Sequence, residues 1–510
     1  MTYDERHHYD YGERIINGNS ERSKQTDDSK MPLSALNALP KMWLNWFGPN
    51  IKSDPHKIPL GEMKSGRYIT ILFSLLLAFF VYTWSSDLYG WPAGIFSLLL
   101  YVFSPNILAH SRLITTDLYG TTFCFISTYF FWRFIKHGRL RNCLFSALTL
   151  GIAQLAKYTA IYLVPIYLCI LAIKILPEIS QCVKRKNYQA LRNYLFSSAK
   201  AIPLYVIIVL LLINAGFLFR KTLAPLSEYE FKSTLFQGIQ QRMSSLDPLP
   251  VAVPKPYIDG LDWVKFNEQT GASFGHVYMF EELRFLRNGD QAFQGYYIVA
   301  FLYKTPIAVI IIALLSIGVY LRKKGQFKFH ENEVFLIVPI IFFALYFNFM
   351  FKAQIGIRYL LVVYPFIHVF CGLLFREFEK ISQKFRIVLF SLLAYLIISV
   401  LSYFPHYLSY FNELVGDRKM AYKILADSNI DWGQNEWYLK KYRKNNPDVI
   451  LRPNGPTWGK LVVGVNELVG ILLEDKYAWL RENFEPVDHI AYSYLIFDIS
   501  EDDLERAKLY

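Results

Sequence analysis

Residues 68–87 read Tyr-Ile-Thr-Ile-Leu-Phe-Ser-Leu-Leu-Leu-Ala-Phe-Phe-Val-Tyr-Thr-Trp-Ser-Ser-Asp, with no charged side chain before Asp87. At ~1.5 Å per helical residue, such a run crosses the roughly 30 Å of hydrocarbon in a bilayer. Similar apolar runs follow at 91–108, 118–135, 143–156, 158–176, 200–219, 297–320, 334–350, 358–375 and 387–404. That predicts about ten membrane spans. Over the whole 510 residues the chain is 53% hydrophobic and 17% aromatic, with a mean hydropathy of +0.21, which excludes an ordinary soluble protein. The net charge of +12 falls mostly in short gaps between apolar runs, so the basic excess points to membrane lipids and not to nucleic acid.

The basic residues set the orientation. Arg133, Lys136, Arg139 and Arg141 follow the third span, and Lys184, Arg185, Lys186 and Arg192 follow the fifth. Arg322, Lys323, Lys324 and Lys328 follow the seventh, and Arg376, Lys380, Lys384 and Arg386 the ninth. Every second loop is basic, which places those loops in the cytoplasm. Residues 1–67, the loop 109–117, the turn at Lys157, the long loop 220–296, the turn 351–357 and the tail from 405 are then exported. Met1 to Pro49 lacks the apolar core of a signal peptide, so an exported N-terminus calls for a further apolar helix upstream of it. In the tail, an amphipathic stretch from Trp437 to Arg443 and a strand-like run at Leu461, Val462, Val463 and Val465 predict a small α+β domain. The expected fold is an all-α polytopic membrane protein in three parts: a first exported loop 1–67, a bundle 68–404, and an exported domain 405–510. Cys124, Cys143, Cys169, Cys182 and Cys371 lie outside the long exported segments, which predicts packing thiols and no disulfide framework.

Three groups of residues carry chemistry. Asp4 and Glu5, with His7 and His8 behind them, form an ionisable cluster whose plain alternative is a solvated tail. Its residue types also suit a metal, although no second ligand set accompanies them. Arg112 and Asp117 sit five apart at the exported mouth of two spans, where a structural ion pair is the simple alternative. Lys157, Lys304 and Arg358 lie at the outer ends of spans. They could merely snorkel, but cations in a poorly hydrated site also seat a phosphate.

At these residues the chain resembles the GT-C superfamily of lipid-carrier-dependent glycosyltransferases, which includes protein O-mannosyltransferases and the aminoarabinose transferases that modify lipid A. Asp4-Glu5-Arg6-His7-His8 is similar to the acidic pair of that superfamily's first exported loop, and Lys30-Met31-Pro32-Leu33 to the Pro-Leu stretch that closes it. Ser111-Arg112 through Asp117 resembles the Ser-Arg…Asp signature of the second exported loop, and Ala156-Lys157-Tyr158 its Lys-containing turn. Asp427-Ser428-Asn429-Ile430-Asp431-Trp432-Gly433-Gln434 resembles a tail segment of uncharacterised bacterial members, with no chemistry attached to it.

The resemblance implies transfer of a sugar from a polyprenyl-phosphate donor to an acceptor hydroxyl on protein, polysaccharide or lipid, at a bacterial cell membrane. Asp4 would be the general base, with Glu5 orienting substrate or tuning it. Arg358, Lys304 and Lys157 would contact phosphate, while Arg112, Asp117 and His8 would line the substrate pocket. Inversion follows from a single displacement. A divalent metal is the one cofactor the resemblance leaves open, since members differ in using one. In the 220–296 loop, Tyr257, Trp263, Phe274, His276 and Tyr278 suit either sugar binding or interfacial packing. The competing classes are a transporter, whose ionisable groups should line the midplane, and a scaffold that merely displays its tail. The topology is checked by single cysteines in intact cells. One placed near Asp448 should react with a membrane-impermeant reagent and one near Lys324 should not; the opposite pattern inverts the chain and removes the proposed site from the exported face.

Overall fold

The computed structural model describes residues 2–22, 29–47, 60–184, 201–243, 250–271, 275–376, 378–380 and 382–508. Arg185, Lys186, Arg192 and Phe274, and the side chain of Cys182, lie outside the described residues. The N-terminal cluster is part of a helix, α1 (Glu5–Ile16), which packs on α2 (Ala35–Phe47) and α3 (Leu60–Tyr89). Its buried residues Glu5, His8, Tyr9, Tyr11, Gly12 and Ile15 follow helical spacing, so one broad face points inward while Arg6 and His7 stay exposed. Gly12 permits the contact: a Cβ there would sit 2.4 Å from the Ser34 carbonyl oxygen.

The chain then runs back and forth through α4 (Trp91–Val102), the short α5 (Pro105–His110), α6 (Thr116–His137), α7 (Leu140–Ala156) and α8 (Leu163–Lys184). After α9 (Ile202–Gly216), the helices α10 (Thr234–Arg242) and α11 (Lys255–Thr270) and an antiparallel hairpin, β1 (His276–Met279) with β2 (Glu282–Phe285), fill the long loop. The bundle resumes with α12 (Tyr296–Lys304), α13 (Ile307–Arg322), α14 (Val334–Phe349), a 3-10 stretch Ile357–Val363 leading into α15 (Tyr364–Cys371), and α16 (Gln383–Leu401).

The fold is thus mostly helical, and helices occupy each place where an apolar run was read. By length and composition alone, Met63–Tyr89, Tyr158–Pro177, Ile357–Phe375 and Gln383–Leu401 can cross a membrane unaided, while Trp91–Val102, Leu140–Ala156, Ile202–Gly216 and Val334–Phe349 are shorter apolar helices. Helix α6 is long but rich in Thr, Ser and Tyr. It is buried along nearly its whole length, where protein and not lipid surrounds its hydroxyls, as when Thr121 and Thr128 donate to backbone carbonyls four residues back. The single span expected at 297–320 is two helices bent by 109°. Pro306 has no N–H to give, and it holds Thr305 extended (ψ 131°), so α12 ends at Lys304.

Two ends of the bundle separate cleanly by chemistry. At one end Arg133 faces Asp87 at 4.0 Å, Lys136 donates to Asn332 (3.1 Å), Trp132 to the Glu331 carbonyl (3.0 Å) and Arg376 to the Gln326 carbonyl (2.7 Å). The described basic loops gather there. The other end holds the first helices, the hairpin and the tail. Helix α3 connects the two, with Arg67 near one end and Tyr89 at the other. The tail carries α17 (Glu436–Asn445) and a four-stranded sheet of β3 (Ile450–Leu451), β4 (Gly459–Gly464), β5 (Asp488–Ile490) and β6 (Tyr494–Ile499). The strand order is β3-β4-β6-β5, parallel only between β3 and β4. Short helices α18 (Val465–Leu468), α19 (Ala478–Asn483) and α20 (Glu501–Arg506) complete it. Val465 opens α18 and does not extend the strand. Cys124, Cys143 and Cys371 are buried and, like the exposed Cys169, unpaired.

Candidate active site

At the end of the bundle away from the basic loops, a cleft of about 370 Å³ is lined by Asp4, His8 and Lys30 from the N-terminal segment, Asp117 and Lys157 from α6 and the α7 turn, and Arg358. Arg358 follows Gly356, whose φ of 109° turns the chain into the 3-10 stretch. The Ile357 N–H is pinned by the Asn429 side-chain oxygen at 3.0 Å, and the Arg358 guanidinium lies 4.2 Å from the centre of the Trp432 ring. Both partners come from the tail segment 427–434, which therefore fixes the arginine. Arg358 donates to Asp4 Oδ2 at 3.2 Å, yet its buried Nε has no hydrogen-bond partner among the described residues. A guanidinium N–H in that state favours an added acceptor.

Asp117 lies in the first turn of α6, where the helix dipole favours its charge, and accepts from Lys157 at 2.7 Å. Gly120, one turn on, lets Lys157 in: a Cβ there would meet the Lys157 Cβ at 2.7 Å. The Lys157 ammonium also stands 4.5 Å from the centre of the Tyr359 ring. On the N-terminal side, Lys30 Nζ is 3.3 Å from His8 Nε2. Burial first, and Lys30 next, push the His8 pKa well below its ordinary value, so the imidazole is neutral. Burial disfavours the charged Asp4 carboxylate, but Arg358 and then Lys30 outweigh it and hold the group below the ordinary aspartate value. Asp4 is therefore ionised in the free site, and its side chain is one-third exposed.

Three expected site residues do not reach this cleft. Glu5 is fully buried and taken by Arg67, which grips both its oxygens at 2.9 and 2.7 Å, while the Thr2 and Ile114 N–H groups donate to it as well. It anchors α1 instead of orienting substrate. Lys304 is also fully buried: the break at Pro306 turns its ammonium onto the carbonyl oxygens of Leu408 and Asn429, so it holds the tail against the bundle and does not line the cleft. Arg112 does not pair with Asp117, whose partner is Lys157; it donates to the Pro405 carbonyl at 3.4 Å in a separate pocket.

Among the described loop aromatics only Trp263 lines the cleft; Tyr257 is buried against Tyr158 and Phe217. The sequence reading missed Lys30, Tyr359 and Glu268 as lining residues, and Trp432 as the ring beneath Arg358. Glu268 accepts from Tyr346 (2.6 Å), Tyr162 (2.5 Å) and Lys265 (3.1 Å). Among the described residues no group of three or more His, Cys, Asp or Glu side chains is placed to hold a metal ion.

Residues 56–190 match the family model described as dolichyl-phosphate-mannose-protein mannosyltransferase. Two solved structures resemble the chain at 12% identity, both of ArnT from Cupriavidus metallidurans. The one bound to undecaprenyl phosphate has a TM-score of 0.46 and covers 83% of this chain and 64% of that one; the apo structure has a TM-score of 0.44 and covers 82% and 62%. The chain thus spans a little under two thirds of the length of either. No curated protein sequence matches it.

Lys304→Met separates anchoring from binding. Leaving the two carbonyls without a donor should cost about 1–3 kcal/mol and lower the thermal unfolding midpoint, while any folded variant keeps the wild-type apparent KM for its lipid donor. A donor KM raised at unchanged stability would return Lys304 to the phosphate.

Proposed function

We propose that this chain is a membrane glycosyltransferase that moves a sugar from a polyprenyl-phosphate donor to an acceptor hydroxyl, on the exported face and with inversion. The observation that carries the reading is one cleft, at the bundle end opposite the basic loops, where the Asp4 carboxylate meets Arg358, Lys157 and Lys30. The positive-inside rule makes that end the exported one. The description of the family model matched by residues 56–190 names a donor of the same chemical class, a sugar on a polyprenyl phosphate.

The chemistry asks little else of the protein. The acceptor oxygen attacks the anomeric carbon from the face opposite the phosphate, Asp4 takes the hydroxyl proton, and the carbon–oxygen bond to phosphate breaks with its electron pair leaving on the phosphate. The products are the glycoside and the polyprenyl phosphate. Arg358 and Lys157 stabilise the charge that develops on the leaving group, from positions set before the donor arrives. The cleft also couples binding to catalysis. In the free site Arg358 holds Asp4 ionised but weakly basic. A donor phosphate drawing on the same guanidinium relaxes that hold, so Asp4 gains proton affinity when the acceptor is in place. Asp117, already paired with Lys157, serves to position that cation.

Asp4→Asn keeps the shape and removes the base, so sugar transfer in membranes should fall by about 10²- to 10⁴-fold while donor lipid is still bound. Arg358→Ala, measured beside it, should instead raise the apparent KM for the donor more than for the acceptor. Wild-type turnover in Asp4→Asn removes the catalytic assignment, and equal KM effects in Arg358→Ala remove the phosphate contact.

A further inference from the structure

Across the start of α1 from the cleft lies a second, smaller pocket of about 170 Å³, lined by Thr2, Arg67, Arg112, Leu113, Pro405, His406, Gln434, Asn435 and Tyr438. Its charge is unbalanced. Glu5 is committed to Arg67 through both oxygens, and no carboxylate among the described residues pairs with Arg112. Arg112, an exposed side chain, makes one long bond, to the Pro405 carbonyl, and stands near the Arg67 charge. His406 Nδ1 donates to the Asn435 side-chain oxygen at 3.3 Å, and the Tyr438 ring fixes the imidazole at 4.6 Å between centres.

A second observation comes from Thr2. It is 1% exposed, and its hydroxyl has no hydrogen-bond partner among the described residues. Its position is set from both sides, by its own N–H on Glu5 (2.8 Å) and by the Tyr3 N–H on the Trp432 carbonyl (3.1 Å). A buried hydroxyl without a partner among the described residues, in a pocket that also holds two guanidinium groups of which only Arg67 is paired with a carboxylate, calls for a compact anion rich in acceptor oxygens.

The surroundings say where that anion comes from. Ile398, Leu401 and Phe404, at the end of α16 and just before Pro405, are 68%, 52% and 70% exposed, and Trp437, beside Tyr438, is 62% exposed. In a chain that spans a membrane, exposed apolar side chains at a helix end meet acyl chains and the headgroup boundary. We propose that Thr2, Arg67 and Arg112 form a seat for the phosphate of an anionic lipid headgroup, separate from the catalytic cleft and holding the first helix to the tail. The seat rests on the membrane reading alone and not on the transferase chemistry.

The test is native mass spectrometry of the full chain in neutral detergent, titrated with dioleoylphosphatidylglycerol, dioleoylphosphatidylcholine and glycerol 1-phosphate. Wild type should retain phosphatidylglycerol in preference to phosphatidylcholine. Arg112→Gln should weaken retention at least about tenfold, and Arg112→Lys less. Thr2→Val, which deletes only the hydroxyl, should weaken it about threefold and guards against a folding loss at Arg112. Equal retention by wild type, Arg112→Gln and Thr2→Val overturns the seat, and glycerol 1-phosphate bound as tightly as the lipid overturns the lipid source in favour of free phosphate. Asp4→Asn should retain phosphatidylglycerol, so loss of transfer in that variant leaves this seat standing, and equal lipid retention by the seat variants leaves the transfer reading standing.

Discussion

A guanidinium held at the membrane boundary must be met by acceptors or by an aromatic face, and Arg358 is met by elements from all over the chain. Asp4 reaches it from the first helix, Trp432 lies against it from the tail, and Asn429 sets the turn on which it stands. Each contact is modest alone. Together they dictate that α1, the 3-10 stretch and the tail meet at one place, and they hold Arg358 where it lines the cleft beside residues of α6, the α7 turn and α11. Lys304 repeats the logic a short distance away: a buried ammonium satisfied by two backbone carbonyls ties the broken helix to the tail.

The membrane architecture was legible because hydrocarbon thickness imposes a length and exclusion of charge imposes a composition. Both survive in a linear reading, as the helices at each apolar run show. Helix α6 shows why length and hydropathy are not sufficient: a helix surrounded by protein can carry hydroxyls that a lipid-facing one could not. The bend at Thr305-Pro306 was visible in principle, since a proline inside an apolar run signals a break, but the run's length concealed it.

The site was legible in part. Asp4, His8, Asp117, Lys157 and Arg358 all belong to segments assigned to one face, and they do converge. Sidedness tells which end of a bundle a residue occupies, not which way its side chain points. Glu5, next to Asp4 in the chain, points the opposite way around a helix, and Arg112 falls in a different pocket from Asp117. Trp432 and Asn429 lay in a segment quoted for its resemblance, but their work is done by a ring face and a side-chain amide, which leave no periodic trace. Glu268 sits among the polar residues of a loop helix, where nothing in the sequence distinguishes a carboxylate clasped by two tyrosines from a solvated one.

The Asp4–Arg358 contact joins residues 354 positions apart, and the Tyr3 backbone bond to Trp432 spans more of the chain still. Contacts of such sequence separation close late, after the local helices have formed and docked. During synthesis the bundle would enter the bilayer with its first helix unclamped and Arg358 without the Trp432 ring. Arg358 is fixed at the edge of the cleft only when the final segment is delivered and packs against it. The tail thus acts as the last fastening that distinguishes a finished molecule from an inserted one.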